Sequence, residues 1–417
     1  MVEMFPNMVD VRQYFDAVPA IDHKEVLRSE LRSAGLDSII KPGYKVAITA
    51  GSRGVTNIAE IIKTIVEEVK KVGGNPFIIP AMGSHGGATS EGQIRVLSDL
   101  GITEESVGAK IEASMEVKEI GRLENGSPVY VSKVALGADA VIVVGRVKPH
   151  TDFKDEVESG LMKMMVIGLG KQKGAQTFHS HGRFGYHNLI VPTAKKIMEN
   201  APIKLGVAIV ENQYHETALI KAIAPKEIEE EEKKLLVKAK EWMMRIPFTQ
   251  LDFLIVEKIG KNISGTGMDP NVTGRFAWPE EKPSDLPNVR IIAALDLTKE
   301  TEGNAIGVGL ADIITKRLFD KINFNDTYMN SLTAGVIGLI AAKIPTTMPT
   351  DKDTIELGLT LLNKRPDEVR VMRIKNTLEL SKFQVSEALL EEVKGNSKLE
   401  VLGSPQPMQF DILGNLI

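Results

Sequence analysis

Short apolar runs rich in β-branched residues alternate, in the first half of the chain, with longer stretches whose apolar positions recur every three or four residues. Lys45-Val46-Ala47-Ile48-Thr49 reads as a strand buried on both faces. From Ile58, the positions Ile61, Ile62, Ile65, Val66, Val69 and Val72 form one helix face, with Glu67, Glu68, Lys70 and Lys71 mostly opposite. Thr56 or Asn57 is placed to cap that helix and Gly73-Gly74 to end it. Phe77-Ile78-Ile79-Pro80 reads as a second strand, followed by a glycine-rich segment and a helix that Thr89 or Ser90 can cap. A third strand is expected over Ala138 to Val144. Strands and crossover helices in this order predict a doubly wound, mainly parallel sheet.

The pattern changes near residues 245 to 252. Pro225 opens a segment that is acidic early, from Glu227 to Glu232, and basic late, at Lys238, Lys240 and Arg245. This matches a helix macrodipole, and the acidic run reads as a solvated face. Pro247 breaks the helix, and new strands follow over Leu251 to Val256 and Val289 to Leu295, with helical stretches around 305 to 320 and 330 to 342. The expectation is an α/β protein of two domains, 1–248 binding a cofactor and a smaller 249–417 on the substrate side, with the active site in the cleft between them. The last residues could pack back on the first domain. No internal repeat or low-complexity linker interrupts this division.

Composition narrows the chemistry. The 417 residues, 43% hydrophobic, can bury a full core, and a net charge of −4 gives no general attraction to nucleic acid or anionic membrane. No apolar run is long enough to span a bilayer and the first residues lack the layout of a secretion signal, so the expected location is cytoplasmic. Cysteine is absent, which removes disulfides, thiolate nucleophiles and cysteine-built metal sites. Any metal must be held by histidine, carboxylate or a cofactor.

Three segments at predicted strand ends carry the polar chemistry: Ala50-Gly51-Ser52-Arg53-Gly54, Gly83-Ser84-His85-Gly86-Gly87 and Lys148-Pro149-His150-Thr151-Asp152. Parallel α/β sheets bind ligands beyond the carboxyl ends of their strands, so one composite site is expected here. Histidines in such loops can exchange protons near neutral pH. A single one would read as a surface residue; two at neighbouring strand ends do not. Lys163 stands alone in Gly160-Leu161-Met162-Lys163-Met164-Met165. Burying an ammonium is expensive, so Lys163 either snorkels to water or serves covalent chemistry. His179 and His181 form an H-x-H pair that faces one side on a strand and diverges on a helix. His23 and His215 read as incidental, and His187 is left open.

The order and spacing of Ser52-Arg53-Gly54, the His85 loop, Pro149-His150, Ser159-Gly160-Leu161-Met162-Lys163 and His179 resemble the nickel-pincer-nucleotide lactate racemase family. The resemblance implies a pyridinium-3,5-dithiocarboxylate mononucleotide tethered through a thioamide to Lys163. Nickel would be held by the cofactor's sulfurs and ring carbon and by His179, with Ser52 among the cofactor-binding residues. It further implies that His85 and His150 alternate as base and acid while hydride passes to and from the cofactor, inverting C2 of a 2-hydroxy acid. Arg53 would hold the carboxylate. Cofactor-maturation proteins would be partners.

In the second domain, Ser264-Gly265-Thr266-Gly267-Met268-Asp269-Pro270-Asn271-Val272-Thr273-Gly274-Arg275 looks like the family's substrate loop. Gly274 and Ala277 stand where lactate racemase has a glutamine and a lysine. Arg275 could take over the lysine's role, with Lys261, Asn262 or Thr266 adding hydrogen bonds. A substrate larger than lactate, a sugar acid or a dicarboxylate, would fit the open glycine. Two other classes remain at this point. Gly168-Leu169-Gly170-Lys171-Gln172-Lys173-Gly174 could be the phosphate loop of a nicotinamide-dependent dehydrogenase, though its spacing departs from G-x-G-x-x-G. A non-catalytic homologue that binds nucleotide or metal would share the same loops.

Overall fold

The computed structural model of the chain describes residues 5–16, 18–52 and 54–417. The chain forms two compact units, Ala17–Met243 and a second made of Met244–Ile417 together with Met1–Asp16.

The first unit is built on a six-stranded sheet: β1 (Lys45–Ala50), β2 (Asn75–Pro80), β3 (Lys110–Ile111), β4 (Ala140–Arg146), β5 (Ile203–Glu211) and β6 (Thr217–Ile223). Their order is β3-β2-β1-β4-β5-β6. All neighbours are parallel except β5 and β6. The direction of winding therefore reverses between β1 and β4, and the crevice beyond their carboxyl ends is the place where such sheets bind ligands. β1, β2 and β4 are almost wholly buried, as their unbroken apolar runs require. The helix Ile58–Lys71 places Ile61, Ile62, Ile65, Val66 and Val69 in a core shared with Val46, Ile48, Ile78 and Ile142.

Several local details differ from the sequence reading. Asn57 sits at the helix start in the left-handed region, φ 64°, and its side chain faces His23 instead of capping. Thr89 does cap the helix Ser90–Asp99, accepting from Gly92 N–H. Between β3 and β4 the chain inserts an antiparallel hairpin, Val117–Arg122 with Pro128–Ser132, whose short strands carry no long apolar run to announce them.

The second unit holds a larger sheet ordered Thr346–Met348, Ile313–Thr315, Asn288–Leu297, Gln250–Ile259, Val371–Ile374, Lys382–Ser386, Asn7–Gln13 and Leu399–Val401. The first five of these run parallel, and Lys382–Ser386 and the strands beyond it pair antiparallel. Asn7–Gln13 thus belongs to this unit, not to the N-terminal one that a boundary at 248/249 would give it. The closing segment Gln406–Pro407 also pairs with Asn7–Gln13, within the same unit. The helix Asp351–Leu362 covers the sheet through Ile355, Leu359 and Leu362 against Phe253 and Ile255. The stretch expected to be helical around 305 to 320 contains the strand Ile313–Thr315. Among the described residues no helix is long and apolar enough to cross a membrane.

Candidate active site

The loops after β1, β2 and β4 carry Ser52, His85 and His150. Ser52 Oγ is hydrogen-bonded to His85 Nδ1, which brings the first two loops together. Arg53 lies outside the described residues. His150 lies in the turn after β4 and is almost fully buried, 7% exposed. Its Nε2 meets Lys163 Nζ, and its Nδ1 receives the backbone N–H of Asp152 at 3.0 Å. Burial, reinforced by the charges of Lys154 and Lys148, holds the His150 pKa well below its ordinary 6.5, so the ring is neutral at pH 7.

Lys163 ends the short helix Leu161–Lys163 and is followed by a π-helical stretch, Met164–Leu169. Such stretches are rare and concentrate at functional sites. The lysine is half-buried while Leu161, Met162 and Met165 around it are in the core. It does not simply snorkel to solvent, because its amine meets an imidazole.

His179 closes the helix Lys171–His179, and Tyr186 lies on the next one, Gly182–Asn188. The Tyr186 ring lies 5.6 Å from His150, 5.8 Å from His179 and 4.8 Å from Phe153. One buried aromatic residue thus packs against both imidazoles. Burial also drives the Tyr186 phenol far above its usual pKa, so it stays protonated. The H-x-H pair does not converge: His179 ends its helix, while His181 lies in the following turn and its Nε2 bonds Ser127 Oγ, in the turn of the inserted hairpin, at 2.8 Å. His187 bonds Asp155 at 3.0 Å, and His23 bonds Glu60 at the surface.

Two buried carboxyl groups support this arrangement, and the sequence reading missed both. Glu158 is completely buried and accepts from the His150 backbone N–H at 2.6 Å, from Lys240 at 2.6 Å and from Lys154 at 3.2 Å. A buried carboxylate is tolerable only when paired and hydrogen-bonded in this way. Glu232 comes from the helix Ile228–Glu241, the acidic segment expected to be solvated, yet it is fully buried. It accepts from Met162 N–H at 3.0 Å and so caps the start of the Lys163 helix. Gly160 is required for that approach: a Cβ there would lie 2.4 Å from the Glu232 carboxyl carbon. Desolvation outweighs the bonds from Met162 and Leu161 and lifts the Glu232 pKa to about 7.

The glycine-rich segment around Lys171 is no phosphate loop. It runs through the π-helical stretch into the helix Lys171–His179, and Lys171 itself is buried. Its Nζ donates to Pro80 O at 2.5 Å and to Gln93 Oε1 at 3.1 Å, while Gln93 donates to Gly83 O at 3.0 Å. The helix ending at His179 is thereby tied to the loop bearing His85. Burial lowers the Lys171 pKa to about 8.

In the second unit, Lys261 Nζ bonds the Asn330 side chain, Asn262 accepts from Thr298 at 2.6 Å, and buried Thr266 donates to Met268 O at 2.9 Å. The Arg275 guanidinium is engaged by Asp312 at 2.8 Å and by Val289 O at 3.1 Å. Gly274 is not an opening toward a ligand. Its φ is +68°, and a Cβ there would lie 2.0 Å from Pro287 O. The glycine serves the turn, so it gives no argument for a substrate larger than lactate.

Residues 11–188 match the lactate racemase N-terminal domain. Over these residues the chain is similar to the lactate racemase family. Among solved structures, the lactate racemase apoprotein from Thermoanaerobacterium thermosaccharolyticum shares the fold, with a TM-score of 0.55 at 13% identity, covering 89% of this chain and 99% of that one. No curated protein matches the sequence. The match of this domain supports a racemase-type function.

A cofactor of the kind the family uses can be weighed against the residues present. Among the described residues no cluster of three histidine, cysteine or carboxylate groups could hold a metal by itself. A metal bound through His179 would therefore take its remaining donors from a bound group. Lys163 supplies an amine for attachment of such a group, so the side chains fit.

Proposed function

We propose that the protein inverts C2 of a 2-hydroxy acid, as a racemase or epimerase, using a nickel-pincer nucleotide held by Lys163 and His179. The observation that carries this reading is the packing of His150 and His179 against Tyr186, with Lys163 meeting His150, in a domain similar to the lactate racemase N-terminal domain. When bound, the cofactor supplies the acceptor for the C2 hydrogen, and its sulfurs give the soft ligands a cysteine-free chain lacks.

The chain's own part is proton transfer and positioning. His85 is engaged at Nδ1 by Ser52 and His150 at Nδ1 by the Asp152 amide, and in each ring Nε2 is assigned the proton exchange with the substrate hydroxyl. Two such groups are needed because the enantiomers present their hydroxyls differently. Arg53 follows Ser52 directly and is assigned the substrate carboxylate, a task its planar fork suits. Glu158 and Glu232 hold the His150 turn and the Lys163 helix in place.

The test is production together with cofactor-maturation proteins, followed by metal analysis and chiral chromatography of a panel of 2-hydroxy acids. His179→Ala is expected to lose nickel. His85→Ala and His150→Ala are expected to keep nickel while losing inversion, with attachment at Lys163 slowed in His150→Ala and unchanged in His85→Ala. Equal metal content and equal turnover in all three variants would overturn the assignment.

A further inference from the structure

The two nitrogens of His150 face partners of different kinds. Nδ1 receives the Asp152 backbone N–H at 3.0 Å, and a backbone amide can only donate, so Nδ1 presents its lone pair. A neutral imidazole carries its proton on one nitrogen, which must then be Nε2. Nε2 in turn meets Lys163 Nζ. An N–H set against an ammonium would oppose two donors, so this contact closes only when Nζ is a free-base amine that accepts. The Asp152 carboxylate offers no alternative site for an Nδ1 proton, since it lies 3.8 Å away, beyond hydrogen-bond reach.

We propose that the Asp152 amide fixes His150 as its Nε2–H tautomer, that this N–H holds Lys163 as a neutral nucleophilic amine, and that acylation of Lys163 releases His150. The surrounding charges agree. Lys148 and Lys154 on the same loop depress the His150 pKa, and cations close to that ring likewise disfavour a further ammonium at the amine it meets. Glu158, the nearby carboxylate, is already committed to Lys154, Lys240 and the His150 amide. Tyr186 is protonated and adds no charge.

Acylation by an activated carboxyl or thiocarboxyl group forms the Nζ–C bond and expels the donor's leaving group with the bonding pair; the amine proton passes to solvent. The resulting amide nitrogen has no lone pair to offer, so the Nε2–H loses its acceptor. His150 is thus occupied until the lysine is loaded and becomes available for proton transfer afterwards. The meaning of this coupling rests on the reading of Lys163 as the tethering residue.

Competitive labelling of the cofactor-free chain with acetic anhydride between pH 6 and 10, read by peptide mass spectrometry, tests the amine directly. An ordinary lysine is free base in only about 1 part in 2,500 at pH 7. Lys163 is expected to label with a midpoint at least about 2 pH units below that of exposed Lys226. In His150→Phe the midpoint is expected to move back up. Should that variant not fold, nitrogen-15 NMR of the wild-type chain gives the tautomer of His150 at pH 7, with Nε2 protonated and Nδ1 bare. A Lys163 midpoint equal to that of Lys226, or a His150 protonated at Nδ1, would overturn the proposal. None of these measurements needs nickel, cofactor or substrate, so a failure to racemise any hydroxy acid would leave them standing, and the reverse holds as well.

Discussion

Replacing Glu232 by glutamine removes one buried ionisation and leaves nearly everything else in place. The carboxyl is fully buried, keeps Oε1 without a hydrogen-bond partner and caps the Lys163 helix through Met162 N–H. Its pKa rises from an ordinary 4.5 to about 7 because burial penalises the charged form. A folded-state pKa above the unfolded one means that the native chain binds the proton more tightly. The associated stability is complete below about pH 4.5 and is lost as pH rises through about 7. At about 1.4 kcal/mol per pH unit this is worth about 3 kcal/mol. Glu232→Gln keeps an oxygen acceptor for the cap and has nothing to ionise. Trp242 and Trp278 are the two tryptophans, one in each unit, so a Trp278→Phe background reports on the first unit alone. In urea unfolding followed by Trp242 fluorescence, the wild type should lose about 3 kcal/mol relative to the variant between pH 4.5 and 7.5. All other titrating groups cancel in the difference. A difference constant to within about 0.5 kcal/mol across that range would refute the buried-carboxyl argument.

Three further outcomes follow from the same geometry. Gly160→Ala should destabilise the first unit by about 2 kcal/mol or more by driving a methyl group into Glu232, and amide exchange over 161–169 should quicken. Lys171→Met abolishes a cation whose pKa is lowered to about 8; the wild type should gain up to about 3 kcal/mol relative to the variant as pH rises from 8 to 10.5, and a flat difference would mean that the amine is solvated. Gly274→Ala combines a positive φ with a clash on Pro287 O and should lower the stability of the second unit, read by Trp278 fluorescence, by about 2 kcal/mol or more.

The strands that place the site were legible because each is a buried parallel strand, and such strands must be apolar without interruption. The residues following them could then be assigned to one edge of one sheet. What stayed hidden was the inward polar layer. Glu232 lay within an acidic run, although Ile228, Leu235, Leu236 and Ala239 put position 232 on the apolar stripe of its own helix. That register was a readable signal. Lys171 was not readable in the same way, because its positive φ of 55° and its partners Pro80 O and Gln93 come from tertiary packing. Tyr186 likewise meets His150 across 36 positions of sequence, which no local period encodes. Gly274 misled for the opposite reason: a missing side chain suggested space, and backbone filled it.

The strand Asn7–Gln13 leaves the ribosome well before its partner Lys382–Ser386, which is made about 370 residues later, some 20 to 70 s at ordinary translation rates of about 5–20 residues per second. Throughout that wait the complete first unit can fold, while the opening strand stays an unpaired apolar edge. Nascent chains halted before residue 382 should therefore be the aggregation-prone species, and chaperone engagement should map to Asn7–Gln13 rather than to the growing end.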